Sequence, residues 1–274
     1  MNTGDIRRVG VTGASGFVGR AVLQALVARG LVPVALTRVG TSLQTVENRV
    51  MGDVASLIDA AAFEGLDAVI HLAARVHRMD ETAEEAEAGH TRTNVGGTRN
   101  VAAMAAEAGL RRVVFCSSIK AMAERDRVGP DGRSQALTAD DAPQPEDAYG
   151  RSKLAAERAL WAVCESTGLE GVVIRPPLVH GPGVGGNLSV LMRAVSKGLP
   201  LPFSKIDNAR SLVSVRNLAD LLVEATTHPA AAGRTFLVSD GPPVSTPDLV
   251  RAIAHAMGRD ARLLPLPIAW VWIE

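Results

Sequence analysis

The run Thr12-Gly13-Ala14-Ser15-Gly16-Phe17-Val18-Gly19 constrains this chain more than any other stretch. It joins a short apolar strand, Arg8 to Thr12, to a helix, Phe17 to Arg29, whose Val18, Val22, Leu23, Leu26 and Val27 share one stripe. Gly13 permits a sharp turn, Gly16 lets a large anion approach the backbone, and Gly19 lets helix and strand pack closely. The helix start offers unpaired N–H groups and a partial positive charge, which suit a pyrophosphate. Strand, glycine turn and helix in that order are the context of dinucleotide binding, with an ordinary tight turn as the alternative.

The rhythm continues. Strands are expected at Val32 to Thr37, Arg49 to Gly52, Asp67 to Leu72 and Arg112 to Ser117, with helices at Ala55 to Phe63 and Thr93 to Gly109. This β-α-β grammar predicts an α/β fold, a Rossmann-type doubly wound parallel sheet with helices on both faces. Glu124 to Asp147 is rich in Asp, Pro, Gly and Arg and too long for a structureless loop, so it is functional or carries small elements. A long helix, Tyr149 to Thr167, and a strand, Val172 to Arg175, follow. Beyond the Gly- and Pro-rich PPLVHGPGVGGN come helices Leu188 to Gly198, Leu218 to Thr227 and Pro247 to Met257, and strands near Leu212 to Val215 and Thr235 to Val238. Residues 1–175 read as a nucleotide-binding domain, with 176–240 partly interleaved, and 176–274 as a smaller substrate lobe.

Charge excludes several classes. Lys and Arg number 29 against 29 Asp and Glu, so no basic excess points to nucleic acid. Aromatics at 3% leave no stacking platform for single strands. Two cysteines, Cys116 and Cys164, cannot make a disulfide framework and read as reduced core residues of a cytoplasmic protein. The amino terminus lacks the apolar region of a signal peptide, and no stretch is long enough to span a bilayer. Leu263 to Ile273 is apolar but interrupted by Pro265 and Pro267, and reads as a segment that packs on a core or continues in longer relatives, rather than an anchor.

Tyr149 and Lys153 stand four residues apart and share a helix face. A phenol titrates near 10 and is a poor base, but a neighbouring ammonium and an oxidised nicotinamide ring both favour the phenolate. That makes Tyr149 a general acid/base for an alcohol–ketone pair, with Ser118 after the fourth of these strands to hold the reacting oxygen. The second strand ends in Arg38, which leans the cofactor from NAD(H) to NADP(H) unless it is a solvated surface residue. Asp53 either accepts from the adenine amino group or caps a helix from Ala55. His180 reads as a packing or loop residue, since no second His or Cys is spaced for zinc and no metal is expected.

With these residues in place the chain resembles the extended short-chain dehydrogenases/reductases of the nucleotide-sugar epimerase/dehydratase group. VTGASGFVGR at 11–20, GDV at 52–54, HLAA at 71–74, TNVGGTRNV at 93–101, CSSIK at 116–120, YGRSK at 149–153 and RPPLVHGPG at 175–183 carry the likeness over nearly the whole chain. It is most similar to the bacterial surface-polysaccharide branch, UDP-glucose 4-epimerase-like enzymes and 4-keto-sugar reductases. The resemblance implies a bound NAD(P), with Ser118, Tyr149 and Lys153 as the catalytic set. It implies that Gly13, Ser15, Gly16, Phe17, Val18, Gly19, Arg38, Asp53, Val54, Leu72, Ala73, Ala74, Asn94, Ser117 and Pro176 line the dinucleotide, together with Tyr149 and Lys153. Asn94 would also support the helix–sheet geometry. Ser118, Asn187, Leu188 and Arg210 would meet the nucleotide-sugar substrate, Arg210 through a fork that suits phosphate. The alternative for Arg210 is a strand-edge surface residue.

Three departures stand out. Met122 replaces an aromatic of many relatives, Leu178 replaces an Asn, and the chain ends at Glu274 where relatives continue. Ile119 and Lys120 occupy the place where a dehydratase needs acids, so dehydration is not expected. The leading expectation is hydride transfer at C4 of an NDP-hexose, by an epimerase or a reductase. A reductase of small carbonyl compounds and a non-catalytic dinucleotide-binding protein are the alternatives. The family often forms homodimers through the Tyr149 helix and its neighbour; Leu154, Leu160 and Trp161 fit that contact or a plain core face.

Overall fold

The computed structural model describes residues 5–40, 43, 46–56, 58–76, 81–125, 127–128 and 134–265. The chain divides into two compact units, Met1–Pro177 with Val215–Val238, and Leu178–Ser214 with Ser239–Glu274.

The first unit is built on a sheet of seven strands. In chain order its elements are β1 (Arg8–Thr12), α1 (Phe17–Ala28), β2 (Val32–Thr37), β3 (Glu47–Val50), β4 (Ala68–His71), α2 (Ala83–His90), α3 (Gly97–Glu107), β5 (Arg112–Cys116), β6 (Arg127–Val128), β7 (Ser134–Gln135), α4 (Ala148–Thr167) and β8 (Glu170–Arg175). The second unit opens with β9 (Leu178–His180), α5 (Gly186–Ser196) and β10 (Leu212–Ser214). The chain then returns to the first unit for α6 (Val215–Thr227) and β11 (Arg234–Leu237) before α7 (Thr246–Ala256).

The sheet order is β11-β8-β5-β4-β1-β2-β3, with every pair parallel. The order reverses between β1 and β4, and the carboxyl ends of strands at such a switch point form the ligand crevice of an open α/β sheet. Fully buried strands explain the continuous apolar runs, since both faces are covered. Val69, Val113, Phe115 and Val173 pack under α3 and α4, while alternation turns Ile70, Val114 and Val172 to the opposite face. Arg112 is completely buried, yet satisfied. Its guanidinium binds Glu170 and donates to the carbonyls of Ala225, Thr226 and His228 at the end of α6.

Several expectations shift. The third strand is Glu47–Val50, two residues early. In place of a helix from Ala55, a turn leads to a single 3-10 turn, Ala60–Phe63, whose cap is Asp59. The helix expected from Thr93 is preceded by α2, which starts on a full capping box between Thr82 and Glu85. A π-helical turn, Thr91–Gly96, joins α2 to α3. The long polar segment carries the small antiparallel ladder of β6 and β7. Leu154 and Leu160 are buried and Trp161 packs against the core, so they form a core face. Both cysteines are half-buried thiols rather than full core residues.

In the second unit β9 and β10 pair in parallel, and Arg210 bridges to Val244. Val195 of α5 and Val250 and Ala254 of α7 make a small core, joined by Leu201 and Phe203. No helix of the described residues is long and apolar enough to cross a membrane.

Candidate active site

The glycine turn after β1 is tight on every side. Gly13 has φ +67°, and a Cβ on it would lie 2.9 Å from the Ala73 nitrogen. One on Gly19 would lie 2.3 Å from the Gly13 carbonyl oxygen, so helix and strand meet at backbone distance. The Gly16 N–H donates to the Gly13 carbonyl at 2.9 Å, and Arg20 Nε donates to the Ser15 carbonyl at 2.9 Å. Gly16 caps α1 with no side-chain acceptor, and no acid stands in the first turn. The N–H groups of Phe17, Val18 and Gly19 have no helical acceptor, and Ser15 and Gly16 are exposed. This bare, open helix start fits the pyrophosphate of a dinucleotide.

The crevice wall beside it is β4. Thr12 Oγ1 accepts from the Leu72 and Ala73 N–H groups, each at 3.1 Å, so its own proton goes to His71 Nδ1 at 2.7 Å. The imidazole proton therefore sits on Nε2 and points to Thr98 Oγ1 at 3.2 Å. Burial holds His71 neutral, its pKa lowered to about 3. Leu72 and Ala73 have spent their amides within the protein; Ala74 is exposed. Val54 is also a packing residue, because a Cβ on Gly97 would lie 2.8 Å from its Cγ2. Asp53 Oδ1 accepts from Ala55 N–H at 2.9 Å, which caps a turn and not a helix. Its Oδ2 lies 3.9 Å from Arg38, whose side chain is 74% exposed.

Helix α4 carries Tyr149 and Lys153, and its start is tied to the turn after Ser118. Asp147 caps it by accepting from Gly150 N–H at 2.6 Å. Lys120 donates to Asp147 at 2.6 Å, tying the turn after Ser118 to the helix start. A Cβ on Gly150 would lie 2.3 Å from the Lys120 carbonyl oxygen, so glycine is what allows this approach. Ser118 Oγ accepts from Lys120 N–H at 3.2 Å, which leaves the hydroxyl proton for another oxygen. Lys153 is buried; its Nζ donates to the Cys116 carbonyl at 2.7 Å and sits 4.3 Å from the centre of the Phe115 ring. Burial lowers Lys153 to about 8.

Tyr149 meets His90 edge to face at 5.8 Å. Its phenol is raised above its ordinary value, by burial first and then by Cys116 and Asp147. In the protein alone, without an oxidised nicotinamide ring beside it, desolvation prevails and the phenol keeps its proton. Asn94 is buried in the π turn. Its amide accepts from Arg75 N–H at 2.7 Å and donates to the Arg75 carbonyl at 3.1 Å and Ser152 Oγ at 2.9 Å. It joins the loop after β4 to α4 rather than reaching outward. Ser117, expected at the dinucleotide, is also turned inward, its hydroxyl donating to Glu157. Met122 is buried against the Arg175 guanidinium. Pro176 is buried, its carbonyl accepting from Ile119 N–H at 2.9 Å.

Asn187, Leu188 and Arg210 belong to the second unit. Asn187 is exposed and Leu188 buried in the first turn of α5, which has neither a side-chain cap nor an acid. Arg210 is exposed, and its guanidinium has no hydrogen bond or ion pair among the described residues. His180 faces Asp240 at 3.8 Å. Among the described residues, no three His, Cys, Asp or Glu side chains are grouped to hold a metal ion.

Known proteins are similar to this chain in sequence and fold. The chain is 39% identical to a UDP-glucose 4-epimerase of Vibrio cholerae, over 98% of this chain and 82% of the relative. It superposes on MoeE5 in complex with UDP-glucose and NAD with a TM-score of 0.77, at 27% identity, covering 95% of this chain and 84% of that one. A UDP-glucose 4-epimerase of Thermus thermophilus complexed with NAD gives a TM-score of 0.72 at 26% identity, covering 95% and 86%. Residues 9–239 match the family model described as NAD dependent epimerase/dehydratase family, and the chain belongs to that family.

Proposed function

We propose that this chain inverts C4 of a nucleoside-diphosphate hexose, a UDP-sugar, in the cytoplasm, for cell-surface polysaccharide. The observation that carries this reading is the Ser118 turn clamped to the helix of Tyr149 and Lys153, beside an uncapped glycine turn. Likeness to the Vibrio cholerae relative supports the sugar nucleotide.

When bound, NAD(P) supplies the acceptor and donor of hydride. Ser118 gives its free hydroxyl proton to the C4 oxygen as a hydrogen bond. Tyr149 exchanges the proton of that oxygen, and Lys153 places a positive charge behind the phenol. The bare start of α5 and the Arg210 fork take the diphosphate. Ile119 and Lys120 directly follow Ser118, where elimination of water needs a carboxylate pair. One observation favours a second reading, a 4-keto-sugar reductase: Arg38 is exposed and only loosely held by Asp53, so it suits the 2′-phosphate of NADPH.

The test is incubation with UDP-glucose, UDP-galactose or UDP-N-acetylglucosamine and each cofactor, with the C4 epimers resolved by NMR. Conversion in both directions, reduced at least about a hundredfold in Tyr149→Phe, is expected. One-way reduction of a 4-keto sugar by NADPH selects the reductase. Reduction of simple ketones with no response to any UDP-sugar overturns the sugar-nucleotide reading.

A further inference from the structure

One buried charge is not used by this chemistry. Tyr149, Lys153 and Glu157 recur every four residues, so they share one face of α4. Glu157 is 1% exposed. Its Oε1 accepts from Arg175 Nε at 2.9 Å and its Oε2 from Arg175 Nη2 at 2.6 Å. Oε1 also accepts the Ser117 hydroxyl. One turn earlier, Lys153 donates to the Cys116 carbonyl. Two successive turns of α4 thus grip two successive residues at the end of β5, and the residue after them is Ser118.

We propose that Glu157 is a positioning residue for the reaction centre, anchoring the segment that presents Ser118 and serving as counter-charge to the Lys153 ammonium. This rests on Ser118, Tyr149 and Lys153 being the reacting set. The groups around Lys153 leave that task to Glu157. On β5, burial keeps the Cys116 thiol protonated. On β4, His71 is neutral, and on α4 the Tyr149 phenol keeps its proton. Arg175 of β8 is spent on Glu157 itself. Burial pushes Lys153 down, while Cys116 first and then Glu157 pull it back up.

The chain has four lysines, Lys120, Lys153, Lys197 and Lys205, so a lysine side-chain NMR titration resolves each, with Lys153→Met as the assignment. In Glu157→Gln the Lys153 midpoint is expected to fall by about one pH unit or more, and in Glu157→Asp to stay within about half a unit of wild type. Where the single variant does not fold, Glu157→Gln with Arg175→Met removes both buried charges together; the two act on Lys153 with opposite sign, so a smaller fall is expected. An unchanged Lys153 midpoint in the folded variant overturns the counter-charge. Ser117→Ala keeps the ion pair, so the titration is expected to hold while kcat falls roughly tenfold at unchanged cofactor KM. Unchanged kcat overturns the anchor. The titration needs no substrate, so its failure is separate from that of the nucleotide-sugar reading, which shows as absent turnover in the wild type.

Discussion

His71 is an imidazole at the centre of a buried parallel sheet, with no accessible surface and both ring nitrogens bonded to threonines. A hydrogen-bonded neutral ring is tolerated there; a charged one is not. Its pKa drops from 6.5 to about 3 on folding, so between those values the unfolded chain binds more protons than the folded one. Stability is therefore intact above about 6.5 and falls as pH decreases below it, by about 1.4 kcal/mol per unit. Denaturant titrations of the wild type are expected to lose on the order of 1.5 kcal/mol between pH 6.5 and 5, above the carboxylate range. His71→Gln is expected to start less stable and to show a flatter profile across that window. Equal slopes in the two proteins would place the proton uptake elsewhere.

Among the elements, α4 shows how one glycine sets the distance between two others. Alanine at 150 would favour the helix by about 1 kcal/mol if propensity decided the outcome. The added Cβ would instead lie 2.3 Å from a backbone oxygen and 3.0 Å from Asp147 Oδ1, and neither neighbour is the loose end of a flexible chain. The clash dominates, because overpacking costs about 1–3 kcal/mol and pushes the Ser118 turn away from Tyr149. Gly150→Ala is expected to lose roughly a hundredfold in kcat, for a shift of about 1 Å, with a modest fall in Tm. Wild-type turnover in this variant would show that the contact does not set the reacting geometry. The local parts of this site are legible in the sequence. The glycine turn follows from consecutive residues, and Tyr149 with Lys153 follows from helical spacing. Helix α2 was hidden because it has no apolar side chain larger than alanine to mark a stripe, although Thr82 and Glu85 spell its capping box. Strand β9 lies among prolines and glycines and has three residues. Glu157 and Arg175 left no local signal, because charged residues read as surface until the fold brings two elements together.

At the scale of the molecule, the proposed ligands divide between the two units, and that division is testable by linkage. The glycine turn, Arg38, Asp53, Tyr149 and Lys153 lie in the first unit; Asn187, Leu188 and Arg210 lie in the second. A ligand that binds only folded protein stabilises it by about 2.7 kcal/mol at a hundred times its Kd. NAD or NADP is then expected to raise Tm without any nucleotide, and UDP to raise it without any cofactor. Arg210 separates the two effects. Its guanidinium takes part in no described hydrogen bond or ion pair, and it is exposed, so its removal costs the fold little. Arg210→Ala is expected to keep the Tm of the wild type and its full response to cofactor, while the response to UDP shrinks to that of a tenfold or weaker Kd. Arg38→Ala provides the converse, with a weakened NADP response beside unchanged responses to NAD and UDP. A full UDP response in Arg210→Ala would remove this arginine from the diphosphate site. Loss of both responses together would mean that the substitution acts on the fold, which the exposed position of its side chain argues against.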